Sequence, residues 1–140
     1  MHAIVSSSSL VVTLSLSAGN LHDAPQGRTL IKSIAGRFLG SNLLMDKAYE
    51  GDRTRNCGVD CGMIPVVPPK KNRLEPWDYD KELYKRRNEV ERFFRRLKRF
   101  RRVDTRYEKL DKTYLAMIHL ALIYDSLVCC VNTPYLKNEV

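Results

Sequence analysis

The segment YKRRNEVERFFRRLKRFRR, residues 84–102, places two glutamates within a strongly basic stretch. It holds ten Lys or Arg residues against two acidic ones, Glu89 and Glu91. A basic stretch of this kind is typical of proteins that bind an anionic partner. A carboxylate inside it has two uses: it pairs with neighbouring cations on a helix surface, or it holds a metal ion against a bound phosphate. The helical positions of the two glutamates distinguish them.

Glu91, and not Glu89, is predicted to lie beside cations that could meet a phosphate. On a helix of about 100° per residue, four side chains fall within roughly 60° of one another. These four are Tyr84, Arg87, Glu91 and Lys98. Glu89 projects about 140° away from Tyr84. An adjoining apolar stripe is expected to pack on a sheet and comprises Leu83, Val90, Phe93, Phe94 and Leu97. On these residues alone, i,i+4 pairing of Glu91 with Arg87 and Arg95 remains the alternative.

The positive charge of the chain is concentrated in this region. The 140 residues carry a formal net charge of +8. Residues 81–109 contain 13 Lys or Arg and 5 Asp or Glu, a difference of +8, so the rest of the chain is close to neutral. A localised excess indicates nucleic acid or another anionic surface as the partner. A solvated charged face is the alternative that charge alone leaves open.

The first half of the chain reads as alternating strands and helices. Residues 3–5 and 10–16 are rich in β-formers and flank a serine run, which predicts a hairpin. Asp23 is placed to cap the following helix, and Pro25 suits its first turn. Leu30, Ile31, Ile34 and Phe38 then recur at helical spacing. A short apolar run follows and stops at Asp46.

The second half ends in two predicted helices. A weak helix opens near Asp52, MIPVVPP reads as a short strand, and KKNRLEPWDYD reads as a loop. One long helix is expected from about Lys81, and an apolar helix from about Asp111. The order strand, strand, helix, strand, helix, strand, helix, helix predicts an α/β domain on a mixed sheet.

The cysteines and the apolar segments give no sign of zinc or of a membrane. Cys57 and Cys61 form a C-x3-C pair far from the adjacent Cys129 and Cys130, and no His cluster accompanies either pair, which favours free thiols in a reducing compartment. The N-terminal segment lacks early Lys or Arg and is broken by serines, so it is not expected to be a signal peptide. His119 and Asp125 interrupt the last apolar stretch, so a core helix is predicted there and no membrane segment.

Several segments together resemble a known enzyme family. The spacing Tyr84-x2-Arg87-x3-Glu91-x6-Lys98 is similar to the Y-x2-R-x3-E-x6-K signature of bacterial insertion-sequence DDE transposases. RRNEVERFFRRLKRFRRVDTRYEK resembles the insertion-sequence-five-like branch in particular. LLMDKAYEGD resembles the segment with the second catalytic aspartate, GMIPVVPPKKNR resembles the strand and basic loop after it, and LSAGNLHDAPQ resembles the upstream strand-to-helix joint. The resemblance extends from about residue 2 to residue 127.

This resemblance implies an RNase H-like fold in which two aspartates and a glutamate bind two Mg²⁺ ions and catalyse DNA strand cleavage and transfer. By position, Asp46 is the second aspartate and Glu91 the glutamate, and both are implied catalytic and metal-binding residues. Tyr84, Arg87 and Lys98 are expected to line the site and contact DNA near the scissile bond. Asp46 as a simple turn-starting residue is the structural alternative, and Asp23 is interpreted as a cap and not a ligand.

Other basic residues are expected to touch the DNA backbone without reading sequence, or to be solvated. These residues are Lys70, Lys71, Arg73, Arg95, Arg99, Arg101 and Arg102. Trp77 is expected to pack under its loop more than to stack on a base. The implied setting is the bacterial cytoplasm at the nucleoid, with DNA as partner and a homodimer or an upstream transposase half as a further partner.

The sequence departs from the family pattern at its start. The family's first catalytic aspartate lies on the first, central strand, and no residue here matches it. The resemblance therefore implies an RNase H-like sheet that is incomplete. Residues 1–128 are expected to form a partial catalytic domain, and residues 129–140 a C-terminal tail. The chain is then either an inactive remnant or the downstream part of a split transposase, and in neither case does it transpose DNA unaided. A non-catalytic basic module that binds nucleic acid through a helix at residues 81–109 is the alternative from another functional class.

Overall fold

The computed structural model describes residues 1–6, 10–19 and 22–132, with side chains as far as residue 128. The chain divides into two compact units, Met1–Glu91 and the segment from Arg92 onward. The bounds 1–128 and 129–140 expected from the sequence remain a prediction, and the last helix runs through residue 128 without a break.

The first unit begins with an antiparallel pair of strands. Strand β1 spans His2–Val5 and β2 spans Val11–Ser15, with His2 opposite Ser15 and a register shift between Ile4 and Val5. The two predicted strands are therefore confirmed. The serines expected to form the turn, residues 7–9, lie outside the described residues.

Helix α1 spans Asp23–Ser33, and its N-terminus differs from the expectation. His22 occupies the N-cap position and makes no side-chain capping hydrogen bond, so the predicted cap by Asp23 is wrong. Asp23 is the first residue of the helix, where its carboxylate faces the positive end of the helix dipole. Leu30, Ile31 and Ile34 are buried, as the spacing predicts.

A second, parallel pair of strands encloses helix α2. Strand β3 spans Asn42–Leu44, a 3-10 turn covers Lys47–Tyr49, α2 spans Asp52–Asp60, and β4 spans Ile64–Val66. Asn42 lies opposite Ile64 and Leu44 opposite Val66. The core between these elements is formed by Ile31, Ile34, Leu43, Met45, Cys57, Met63 and Val67. Cys57 and Cys61 are free thiols on and just after α2.

The architecture is mixed α/β, but the strands do not form one continuous sheet. Among the described residues β1 pairs with β2, β3 pairs with β4, and no ladder joins the two pairs. The expectation of a single mixed sheet is therefore not met in this part of the chain. Ile4 of β1 and Val12 of β2 nevertheless pack against the same apolar cluster that Leu43 of β3 enters. The two ladders thus share one core.

The prediction of one long helix from Lys81 is wrong, because the segment forms shorter helices that are separated by turns. Helix α3 spans Lys81–Lys85, and its cap residue Asp80 accepts a hydrogen bond from the backbone N–H of Leu83 at 2.8 Å. Helix α4 begins after a turn and spans Asn88–Leu97. In that turn, Arg87 N donates to the Tyr84 carbonyl and Glu89 N donates to the Arg86 carbonyl, both at 3.0 Å. These i→i−3 bonds tighten the backbone and change the direction of the side chains.

The second unit contains the end of α4, helix α5 at Arg101–Asp104 and helix α6 at Asp111–Asn132. The apolar helix predicted from Asp111 is confirmed. The Tyr114 hydroxyl donates to the Val103 carbonyl at 2.8 Å, and Ile118 is fully buried. Within the described residues, no helix is long and apolar enough to cross a membrane.

Candidate carboxylate site

Asp46 presents its carboxylate at the end of strand β3. The preceding residue, Met45, is buried and anchors the backbone, whereas the Asp46 side chain is 54% exposed. Asp46 is the N-cap residue of the 3-10 turn, but its side chain makes no capping hydrogen bond. The turn is closed instead by its backbone carbonyl, which accepts from Tyr49 N at 2.8 Å. Asp46 therefore does start a turn after the strand, as the structural alternative expects, but it does so through its backbone carbonyl, and its carboxylate contacts another group.

Glu91 lies in the first turn of α4 and faces the same guanidinium as Asp46. Arg87 donates through one terminal nitrogen to Asp46 Oδ2 at 2.9 Å and through the other to Glu91 Oε1 at 2.7 Å. Two oxygens bound by the two ends of one guanidinium lie within about 8 Å of each other. Asp46 and Arg87 are 41 residues apart in sequence, so this contact is tertiary. The fold thus brings together the two carboxylates that the sequence singled out.

The pairing of Glu91 with Arg87 is also the i,i+4 pair that the structural alternative expects. It differs from a simple helix-surface pair in two respects. The guanidinium is shared with Asp46, and its side chain is only 26% exposed although it carries a full charge. The alternative therefore accounts for one half of the arrangement, and the contact with Asp46 is additional.

Tyr84 lines the same place from helix α3. Its ring centroid is 5.9 Å from the Arg87 guanidinium carbon and 5.7 Å from the ring of Tyr79, with the two rings nearly perpendicular. Burial raises the pKa of the Tyr84 phenol, and the Asp46 carboxylate acts in the same direction while Arg87 opposes it. The phenol is therefore protonated at neutral pH and can donate a hydrogen bond to an anion.

A polar network that the sequence did not reveal supports the turn after Asp46. The buried ring of His2 bonds the Tyr49 hydroxyl through Nδ1 at 2.9 Å and the Ser17 hydroxyl through Nε2 at 2.8 Å. Burial lowers the pKa of His2, and the carboxylate of Asp23, 4.0 Å from Nε2, opposes this effect. Nothing local in the sequence marks His2 as buried, because its partners come from three different segments.

Tyr49 is held against α1 by a close approach at Gly27. A β-carbon on Gly27 would lie 2.6 Å from two ring carbons of Tyr49, so only glycine fits there without displacement. Burial raises the pKa of Tyr49, with Asp23 and Asp46 adding to the effect. Helix α1, the ring of Tyr49 and the ring of His2 therefore fix the 3-10 turn that begins at Asp46.

The donor set suits a hard divalent cation in part. Mg²⁺ takes oxygen ligands and is commonly bound through one or two carboxylates together with waters. Asp46 and Glu91 supply two exposed carboxylates that already converge on one cationic group. Across the described ranges, no group of three or more His, Cys, Asp or Glu side chains is arranged to hold a metal ion. The pair therefore fits two of the three carboxylates that the sequence resemblance implies.

The basic loop after β4 is tied down by acidic residues that the sequence did not single out. Glu50 is only 5% exposed and pairs with Lys70 Nζ at 3.1 Å and with an Arg73 nitrogen at 3.7 Å. Arg73 also donates to Asp52, and this hydrogen bond lowers the pKa of the Asp52 carboxyl. Lys71 is exposed. The charge of Arg73 is therefore largely balanced within the fold, whereas Lys70 and Lys71 keep exposed side chains.

Trp77 packs in the protein, as expected. Its indole N–H donates to the Val67 carbonyl at 2.8 Å, and its ring packs against the core. The Arg55 and Arg73 guanidinium carbons lie 3.7 and 4.4 Å from the ring centroid. The remaining predicted DNA contacts lie in the second unit and are exposed, with Lys98 just beyond the end of α4. They are Arg95, Lys98, Arg99, Arg101 and Arg102.

Comparisons with known proteins identify the family of the chain. Residues 1–125 match the family model described as "Transposase DDE domain". Over 124 residues, covering 86% of this chain and 92% of the relative, the chain is 29% identical to "Putative transposase for insertion sequence element IS6501" of Brucella ovis (strain ATCC 25840 / 63/290 / NCTC 10512). No solved structure gives a significant match. Because the family model covers most of its length, the chain belongs to the transposase DDE domain family.

Proposed function

We propose that this chain is an insertion-sequence transposase of the insertion-sequence-five-like branch, and that it contributes Asp46 and Glu91 to a metal-dependent site for DNA strand cleavage and transfer. The observation that carries the proposal is the shared guanidinium of Arg87, which brings these two carboxylates together from distant segments. A protein that only binds DNA through a basic helix has no need of this convergence.

The chemistry assigned to the site is phosphoryl transfer at a DNA phosphodiester. Bound Mg²⁺ ions would activate the attacking oxygen and stabilise the leaving oxygen. Asp46 and Glu91 would hold the cations, and the Tyr84 phenol would donate a hydrogen bond to a phosphate oxygen. Arg87 would bind a phosphate that flanks the scissile bond. Arg95 and Lys98, which belong to the second unit, are proposed as DNA-backbone contacts from the sequence alone. Lys70, Lys71 and Arg73 would extend backbone contacts along the DNA, with Lys71 the most available of the three.

The strand pairing supports an RNase H-like arrangement that lacks a central strand. In such an arrangement, an antiparallel pair and a parallel pair flank one further strand. The β1–β2 pair is antiparallel, the β3–β4 pair is parallel, and β1 and β3 share a core without a ladder between them in the described part of the chain. We place the missing strand, with the third carboxylate, between β1 and β3.

Reconstitution tests the catalytic part of this proposal. The bases upstream of the gene are read in all three frames for an aspartate-bearing strand, and the encoded segment is co-expressed with this chain. Cleavage of DNA that carries the element's ends is then measured with Mg²⁺. Asp46→Asn and Glu91→Gln are expected to lower the cleavage rate by at least about 100-fold, since each removes a metal ligand. Asp60→Asn and Glu89→Gln, which make the same chemical changes elsewhere, are expected to retain it.

The alternative, a non-catalytic nucleic-acid-binding module, predicts a different pattern. Glu91→Gln would then leave DNA affinity unchanged or raise it, because a negative charge is lost beside a phosphate. Neither the unchanged chain nor any variant would cleave DNA. Upstream stop codons in every frame, together with absence of cleavage in all reconstituted mixtures, would support a remnant that binds DNA without cutting it.

A further inference from the structure

We infer that Arg87 is an internal counter-ion of the carboxylate site. Its guanidinium binds the carboxylates of Asp46 and Glu91 when no metal is bound. A divalent cation that binds these carboxylates displaces the guanidinium, which then binds a DNA phosphate. This inference rests on the proposed function, because it assigns a second role to a residue of the same site. It makes metal binding and phosphate binding cooperate, because the metal ion displaces the guanidinium from the carboxylates and the phosphate binds the displaced guanidinium.

The geometry favours a counter-ion over a simple stabilising pair. Arg87 binds one carboxylate with each terminal nitrogen, at 2.9 and 2.7 Å, so a single side chain satisfies both acids. Two carboxylates held this close repel each other in the absence of a cation. A guanidinium supplies a charge that cannot be titrated away, and its planar fork matches two acceptors at once. Arg87 therefore supplies, with one positive charge, part of what a divalent ion would supply with two.

The position of Arg87 in the chain suits its release. It lies in the turn between α3 and α4, where the backbone is bonded i→i−3. Its Cα is therefore not in the middle of a regular helix, and its long side chain can take another rotamer without disrupting one. Both carboxylates are about half exposed, so a hydrated cation can approach them while the guanidinium is still in place.

Release of Arg87 adds a free cation beside the scissile phosphate. The guanidinium already lies 5.9 Å from the ring centroid of Tyr84, which keeps it near the site after it leaves the carboxylates. By reciprocity, a DNA phosphate that binds the freed guanidinium must raise the affinity of the carboxylates for metal by the same factor. The two ligands of the reaction are thus coupled through one side chain.

Titration with Mn²⁺, followed by electron paramagnetic resonance of the free ion, tests this inference on the full chain without DNA. Arg87→Gln removes the counter-ion and is expected to tighten Mn²⁺ binding by about 2- to 30-fold, the range that follows from two exposed ion pairs. Arg86→Gln is the matched control: it makes the same charge change at an exposed residue of the same turn and is expected to shift the dissociation constant by less than about 2-fold. Far-ultraviolet circular dichroism verifies that each variant is folded.

The outcomes separate this inference from the proposed function. If Asp46→Asn and Glu91→Gln abolish the binding while Arg87→Gln leaves it unchanged or weakens it, the carboxylates hold metal but Arg87 is not their counter-ion, and the inference is overturned. If the binding is indifferent to Asp46→Asn and Glu91→Gln, or no saturable binding occurs in any variant, the proposed site itself fails and the inference with it. If Arg86→Gln tightens binding as much as Arg87→Gln, general charge and not displacement is responsible.

Discussion

Replacing Gly27 with alanine should destabilise the protein, although alanine is the better helix former. Gly27 lies inside α1, where a glycine costs about 1 kcal/mol relative to alanine. The substitution would therefore stabilise an unobstructed helix. Here the added β-carbon would lie 2.6 Å from Cδ1 and Cε1 of the Tyr49 ring. Because the Tyr49 hydroxyl is bonded to the buried ring of His2, the ring cannot move away without loss of that bond.

The expected size follows from two opposing effects. Overpacking of this kind costs roughly 1–3 kcal/mol, and displacement of the Tyr49 hydroxyl from His2 leaves a buried polar group that costs about 1–3 kcal/mol more. After subtraction of the gain of about 1 kcal/mol in helix propensity, Gly27→Ala should lower the free energy of unfolding by about 1–5 kcal/mol. Urea denaturation followed by circular dichroism measures this directly.

A double-mutant cycle with Tyr49→Ala isolates the cause. In the Tyr49→Ala background no ring opposes the new methyl group, so Gly27→Ala should become neutral or stabilising by up to about 1 kcal/mol. A reversal of sign between the two backgrounds is the expected result. If Gly27→Ala stabilises the protein in both backgrounds, the close approach of α1 to Tyr49 does not constrain the turn after Asp46, and this account of how Asp46 is positioned is refuted.

Two further predictions concern burial. Burial lowers the pKa of His2 below its ordinary value of 6.5, so the unfolded chain binds more protons than the folded chain as the pH falls below about 6.5. The free energy of unfolding should therefore decrease from pH 8 to pH 5. This decrease should be smaller in His2→Gln and should be retained in His119→Gln, a control at an exposed residue. Ile118, which is 0% exposed, and Ile123, which is 57% exposed, lie on the same helix. Ile118→Ala should lower the free energy of unfolding by about 2–5 kcal/mol, and Ile123→Ala by less than about 0.5 kcal/mol. Equal losses of the two variants in urea denaturation would contradict the burial of Ile118.

Local patterns in the sequence predicted the elements, and their failures have local physical causes. The apolar spacing at Leu30, Ile31 and Ile34 gave the buried face of α1 because that face depends only on helical periodicity. The break between α3 and α4 was missed because neither Gly nor Pro marks it. Arg86 and Arg87 are good helix formers, and the turn depends on i→i−3 bonds that no residue type announces.

The candidate site was predictable only at the residues that a motif marks. Asp46 and Glu91 were found through spacing that resembles a family signature, and the fold brings both to Arg87. His2 and Glu50 were missed because each is buried by partners from distant segments: His2 by Tyr49 and Ser17, Glu50 by a loop some twenty residues later along the chain. Tertiary burial of a single polar residue has no periodic signal in one sequence.

The small stabilisation expected from the ion pairs of Arg87 supports the proposal that Arg87 takes part in ligand binding. Each of its two ion pairs joins a half-exposed carboxylate, and exposed pairs contribute about 0–1 kcal/mol each. The chain could lose both pairs and remain folded by its apolar core around Ile31 and Leu43. Holding Asp46 and Glu91 together, by contrast, brings two negative charges close to each other, which opposes folding unless a cation is present. An arrangement that gains little stability and requires a cation is the one expected of a site whose cation is exchanged during function.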